Sequence, residues 1–250
     1  MSTFCLVHGA SLGTWCWEHL IPKLETQGHQ TITMNLPINN PSASLSDYTN
    51  VVVQSLQKVD DDIILVGHSM AGMIIPLVAT QRPVRKLIFL GALIPQIGMS
   101  GFDQFYDEID PNMLEEIGYK PPAANLFEQL QDEPDMFKTT SLIRQQALED
   151  KTLVMECCFH DCEQDVAEWA FSNLQDQRSP CCLTEVTPLQ TFPDAEYAYI
   201  VCTDDRIISP TWSKYAARKR LGVEAIEIPG GHYPHIAHPV EFAEILIKNV

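Results

Sequence analysis

Apolar residues are distributed along this chain in two recurring ways. Thr3–His8, Thr31–Leu36, Ile63–Val66, Val84–Leu90 and Tyr197–Thr203 are short, nearly continuous apolar runs, and between them apolar residues fall at helical spacing. Continuous runs suit strands buried on both faces, and the helical stretches suit the crossovers that parallel neighbours require. Their alternation predicts an α/β fold with a mostly parallel central sheet flanked by helices on both faces. Helices are expected at Trp17–Gln27, Leu45–Val59, Ser69–Thr80, Pro210–Leu221 and Pro239–Lys248, with a short strand at Glu224–Ile228.

The rhythm breaks at Gly91-Ala92-Leu93-Ile94-Pro95. From 96 to 188 the chain turns acidic and helical without clear buried strands, and Asp110–Gly118, Ala124–Gln131, Thr140–Leu148 and Asp165–Leu174 are the candidate helices. The predicted organisation is therefore a core of residues 1–95 and 189–250 carrying a helical cap inserted at 96–188. No internal repeat or low-complexity tract interrupts it.

Composition narrows the range of roles. A chain of 250 residues with 45% hydrophobic content can bury a full core. Its net charge is −17, and the stretch from Asp103 to Glu185 holds 19 acidic against 5 basic residues, so 14 of the excess negative charges lie there. Such a surface repels phosphate backbones and anionic lipid, which argues against nucleic-acid and membrane partners. A solvated helical face explains it more simply than substrate steering.

No apolar run is long enough to span a bilayer, and Met1-Ser2-Thr3-Phe4 leads straight into a strand-like segment, so a cytoplasmic location is expected. The 8 cysteines are expected to be reduced core thiols. The cluster Cys157-Cys158-Phe159-His160-Asp161-Cys162 lacks paired C-x-x-C spacing, and neither a metal nor another cofactor is expected.

Chemistry enters at Gly67-His68-Ser69-Met70-Ala71-Gly72, directly after Ile63-Ile64-Leu65-Val66 and before Met73-Ile74-Ile75. This reads as strand, sharp turn with a serine at its tip, then helix. A serine so placed stands exposed at the carboxyl edge of the sheet, with the Met70 amide and the helix start supplying positive dipole to an oxyanion. The turn needs small residues two positions either side of Ser69. Gly67 meets this, and Ala71, one methyl larger, departs from it tolerably with Gly72 behind it.

A serine nucleophile needs a base and a carboxylate that orients the base. The strand at Tyr197–Thr203 ends in Asp204-Asp205, and Asp205 is favoured by its spacing to Pro210 at the next helix start. Asp204 reads as a turn residue. Among 8 histidines, His232 in Pro229-Gly230-Gly231-His232-Tyr233-Pro234 follows the last strand and is favoured as base. His235 and His238 read as capping or packing residues, and His68 as a side chain pointing into the sheet or a neighbouring loop. The loop His8-Gly9-Ala10-Ser11-Leu12-Gly13 should supply a second oxyanion donor. Gly9 would let the backbone turn inward, making Ala10 N–H the partner of Met70 N–H.

Together these motifs, with Gly13-x-Trp15-x-Trp17, resemble the α/β-hydrolase superfamily. The nearest likeness is to its branch of plant methyl esterases and hydroxynitrile lyases with related bacterial esterase-like proteins. Phe159-His160-Asp161-Cys162 is similar to bacterial members. The resemblance implies hydrolysis of small, largely apolar carboxylic esters through an acyl-serine intermediate. Catalytic residues would be Ser69, Asp205 and His232, and the oxyanion hole the amides of Ala10 and Met70. Lyases of that branch carry a threonine where Gly9 stands and a lysine where Tyr233 stands, so lyase chemistry loses its support here. A slow-turnover ligand-binding receptor on the same scaffold, lyase-type carbon–carbon cleavage, and homodimerisation all stay open. Trp15, Phe102, Phe105 and Phe159 are candidate pocket walls.

Overall fold

Branched and aromatic side chains crowd the apolar runs, and on a parallel strand both faces must find apolar neighbours. In the computed structural model, which describes residues 1–59, 62–108 and 151–249, these runs pair into one sheet. Its strands are β1 (Thr3–Val7), β2 (Gln30–Thr33), β3 (Ile63–His68), β4 (Lys86–Leu90), β5 (Glu196–Cys202) and β6 (Ile226–Ile228). They lie in the order β2-β1-β3-β4-β5-β6, and every pairing is parallel.

Described helices before β5 are α1 (Ile21–Glu25), α2 (Leu45–Ser55), α3 (Ile75–Gln81), α4 (Gly101–Glu108), α5 (Lys151–Cys158), α6 (Gln164–Ser172) and α7 (Cys181–Thr184). After it come α8 (Pro210–Ala216), α9 (Pro234–Ala237) and α10 (Pro239–Lys248). Successive side chains of a strand point to opposite faces, so the sheet feeds two cores. Cys5 and Val7 pack with Tyr48 and Val52 of α2, Val78 of α3 and Ala216 of α8. Phe4 and Leu6 pack with Leu24 of α1 and with Phe242 and Leu246 of α10.

Several expected elements are shorter or broken. In place of a helix at Trp17–Gln27 there is a 3-10 turn at Thr14–Trp17 and then α1, whose first turn holds Pro22. The expected helix Ser69–Thr80 begins as a 3-10 turn, Ser69–Met73, and becomes α-helical only at Ile75, where Pro76 fits the start because it has no N–H to leave unpaired. The helix expected to run to Leu221 ends its α-helical part at Ala216 and closes in a π-turn, Ala217–Leu221, capped by Gly222 at φ +68°. The helices α4, α5 and α7 were not legible in the sequence pattern; α4 and α7 pack against each other between β4 and β5. The candidate helices at 110–118, 124–131 and 140–148 lie outside the described residues.

Because all strands run the same way, their carboxyl ends share one edge, where ligands of open parallel sheets gather. Register then decides which loops meet. Val7 of β1 pairs with Gly67 of β3, so Gly9 and Ser69 leave the sheet side by side. Leu90 pairs with Ile200 and Cys202 with Ile228, which brings Gly91, the Asp204-Asp205 turn and Gly230 to the same edge.

Candidate active site

Ser69 follows the extended residue His68 and has φ +54°, a left-handed conformation that costs a non-glycine residue energy. The strain lifts the serine off the strand at the tip of the turn. Close packing behind the turn explains the small residues. A Cβ on Gly67 would stand 2.9 Å from Ile75, and one on Gly72 would stand 1.9 Å from the carbonyl oxygen of Leu93. Ala71 is fully buried with its methyl in place, so the strictest demand for glycine falls on Gly72, one place later than the motif suggests.

The loop after β1 passes directly over this turn. A Cβ on Gly9 would lie 2.9 Å from Ser69 Cβ and 2.9 Å from His68 Nδ1, so Gly9 is required by space. This corrects the expectation that Gly9 supplies the loop's conformational freedom: the left-handed residue is Ser11, at φ +60°. The Ala10 amide engages no hydrogen-bond acceptor among the described residues. Met70 opens its 3-10 turn, where amides have no partner inside the helix. Neither amide of the expected oxyanion pair is bonded to another described residue.

At the far end of the edge His232 and Asp205 meet. His232 Nδ1 donates to Asp205 Oδ2 across 2.6 Å, with both side chains 1% exposed. The other carboxylate oxygen accepts from the amides of Ile207 at 2.8 Å and Ile208 at 2.9 Å. Asp205 is therefore held from both sides, and the bond it accepts puts the imidazole proton on Nδ1. The other ring nitrogen, Nε2, is buried without a hydrogen-bond partner among the described residues. A Ser69–His232 hydrogen bond is accordingly not formed. Asp204 turns away, accepting from Gly230 N at 3.3 Å and Thr203 Oγ1 at 3.1 Å.

Two residues support this pair that the motif reading did not assign. Gly91, at φ +45°, lies under it: a Cβ there would stand 3.2 Å from Asp205 Oδ2 and 3.4 Å from His232 Nδ1. Its only signal in the sequence was the break in rhythm. His68 takes the second of its two expected courses, toward a neighbouring loop: its Nε2 donates to the carbonyl of His232 at 3.0 Å, and the two rings lie 4.7 Å apart, tilted by 53°. His235 packs beside them against Trp17. Burial, reinforced by the neighbouring imidazoles, holds His68 and His235 well below the usual histidine range, and burial pushes His8 down to about 4. All three are neutral at pH 7.

Trp15 meets Trp169 edge-on, Phe159 is buried against Tyr233, and the Phe105 side chain lies outside the described residues. All 8 cysteines fall within the described residues as free thiols. No group of side chains suited to a metal occurs among the described residues, nor any helix long and apolar enough to cross a membrane.

Residues 6–245 match the model of a family described as the alpha/beta hydrolase family. Salicylic acid-binding protein 2 of Nicotiana tabacum is 26% identical over 98% of this chain and 95% of its own length. Methylesterase 2 of Arabidopsis thaliana is 24% identical over 98% of this chain and 94% of its own. The crystal structure of polyneuridine aldehyde esterase superposes with a TM-score of 0.75 at 20% identity, covering 100% of this chain and 99% of that one, which shows a shared fold.

Proposed function

The chain belongs to the alpha/beta hydrolase family, and on that premise we propose that it hydrolyses small, largely apolar carboxylic esters through an acyl-serine intermediate. The observation that carries this reading is the 2.6 Å bond between His232 Nδ1 and Asp205, with Nε2 left without a hydrogen-bond partner among the described residues. The named activities of Methylesterase 2 and polyneuridine aldehyde esterase support it.

Ser69 Oγ attacks the ester carbonyl carbon as His232 Nε2 takes its proton. The carbonyl oxygen gains the negative charge and settles between the amides of Ala10 and Met70. Asp205 stabilises the imidazolium and keeps its orientation. Collapse of the tetrahedral intermediate expels the alcohol, which leaves with the proton held by His232. Water then attacks the acyl-serine by the same route, returning the acid and the free hydroxyl. The β4–β5 segment acts as a cap over this edge and selects the ester.

Neither a hydroxyl at Gly9 nor a cation at Tyr233 is available to a cyanohydrin, which leaves hydrolysis favoured over lyase chemistry. Wild-type protein should hydrolyse short-chain nitrophenyl esters and take up a fluorophosphonate on Ser69. Ser69→Ala should do neither. Absence of both labelling and turnover in the wild type removes this reading, and ligand binding without product would favour a receptor.

A further inference from the structure

The loop carrying His232 is gripped from outside the core. Gly231, immediately before the histidine, donates its amide to Asp161 Oδ2 across 2.6 Å, and Asp161 belongs to the turn between α5 and α6. A bond this short from an amide to a carboxylate is of the charge-assisted kind, about twice as strong as a neutral one. The Asp161 side chain is 14% exposed, so water competes little for it.

The glycines on the loop are what let this side chain in. A Cβ on Gly230 would stand 2.8 Å from Asp161 Oδ2, and one on Gly231 would stand 2.7 Å from His160 Cε1 and 2.8 Å from Asp161 Oδ1. On the core side the same loop is fixed by Asp204 N donating to Gly230 O at 3.0 Å and by His68 on the His232 carbonyl. Backbone groups flanking His232 are thus clamped from two directions, and one jaw of the clamp is the β4–β5 segment.

We propose that Asp161 is a positioning residue for His232, seating the imidazole against Asp205 by holding the Gly231 amide. Its consequence is that the β4–β5 segment sets the geometry of the base as well as covering the substrate. The proposal rests on the ester-hydrolase reading for its kinetic effect and on the observed bond alone for its structural effect. The same carboxylate also borders a cavity of about 500 Å³ lined by His160, Asp204, Asp205, Arg206 and Gly230, from which Ser69 is absent. A role in binding substrate there would show itself differently.

The test compares Asp161→Ala with Asp161→Asn, whose side-chain oxygen can still accept the Gly231 bond. Alanine should lower kcat about tenfold or more with KM within about threefold, while asparagine stays within about threefold of wild type. The downfield proton resonance of His232 Nδ1–H should broaden or vanish in Asp161→Ala and persist in Asp161→Asn, a readout that needs no turnover. If the alanine protein does not fold, Asp161→Glu, with its carboxylate displaced by one methylene, should show the same losses. An unchanged kcat and resonance in Asp161→Ala, an effect on KM alone, or an asparagine variant as impaired as alanine each overturns the proposal. A wild type without esterase activity but with the resonance lost in Asp161→Ala and kept in Asp161→Asn removes the ester-hydrolase reading and leaves the positioning role standing.

Discussion

Gly72 shows how a single missing methyl group can hold a site together. An added Cβ would meet the Leu93 carbonyl at 1.9 Å, and the obstacle is backbone, which cannot rotate away. Gly72→Ala should cost about 2–3 kcal/mol and shift the Ser69 turn. Urea unfolding checks this, and an unchanged midpoint would refute the packing account. Asp205→Asn makes the complementary case for chemistry. Asparagine keeps the size but can favour the wrong imidazole tautomer, so kcat for ester hydrolysis should fall by about 10³–10⁴-fold with little change in stability. Retained activity would show that Asp205 does not orient the base. Ser69, His232 and Asp205 could be singled out as candidates from sequence because each lies in a short local pattern of strand end, turn and helix start. Gly91, His68 and Asp161 could not, because each acts across a distance in the chain that no local pattern records.

Helix and strand boundaries follow the same division. Ser44 begins α2 with a reciprocal cap: its hydroxyl accepts from Asp47 N at 3.1 Å, and Asp47 Oδ2 accepts from Ser44 N at 2.9 Å. This satisfies amides that a helix start leaves open, and it is readable in the sequence as Ser-x-x-Asp before an apolar-periodic run. Ser44→Ala should destabilise the protein by about 1 kcal/mol, measured by urea unfolding, while esterase activity at 25 °C stays unchanged. A loss of activity without loss of stability would contradict a purely structural role. Most strands were legible as apolar runs, although β2 spans Gln30–Thr33 and stops short of the expected Leu36, and α10 begins and ends where the Pro239 and Lys248 signals put it. The 3-10 start behind Ser69 and the π-turn after α8 escaped that reading, because both depend on how the helix must sit on its neighbours. Helices α4, α5 and α7 escaped it too, being short segments whose apolar spacing is too brief to stand out.

The two-sided core sets how the protein responds to acid. His8, His68 and His235 are buried neutral with folded-state pKa values below the ordinary 6.5. As pH falls through 6.5 the unfolded chain takes up protons there while the native state does not, so stability is full near neutrality and lost progressively toward pH 4. His8 alone, held at about 4, accounts for about 3 kcal/mol of that loss. Carboxylates held low by their partners, such as Asp47 and Asp103, add their own loss only further into acid. The urea midpoint should therefore drop between pH 7.5 and 5, and a flat profile over that interval would contradict burial of these imidazoles in the neutral form.

Periodicity and motif were enough to read the α/β class, the strand sequence and the serine turn, since hydrophobic spacing and turn chemistry are local properties that neighbouring residues impose on one another. Which loops touch was decided only when the strands took their register and the edge loops closed over it. Val7 opposite Gly67 sets Gly9 against Ser69, and Asp161 reaches Gly231 from the β4–β5 segment. Such contacts depend on the summed geometry of the whole sheet and the segments packed on it, and no stretch of sequence holds that information by itself.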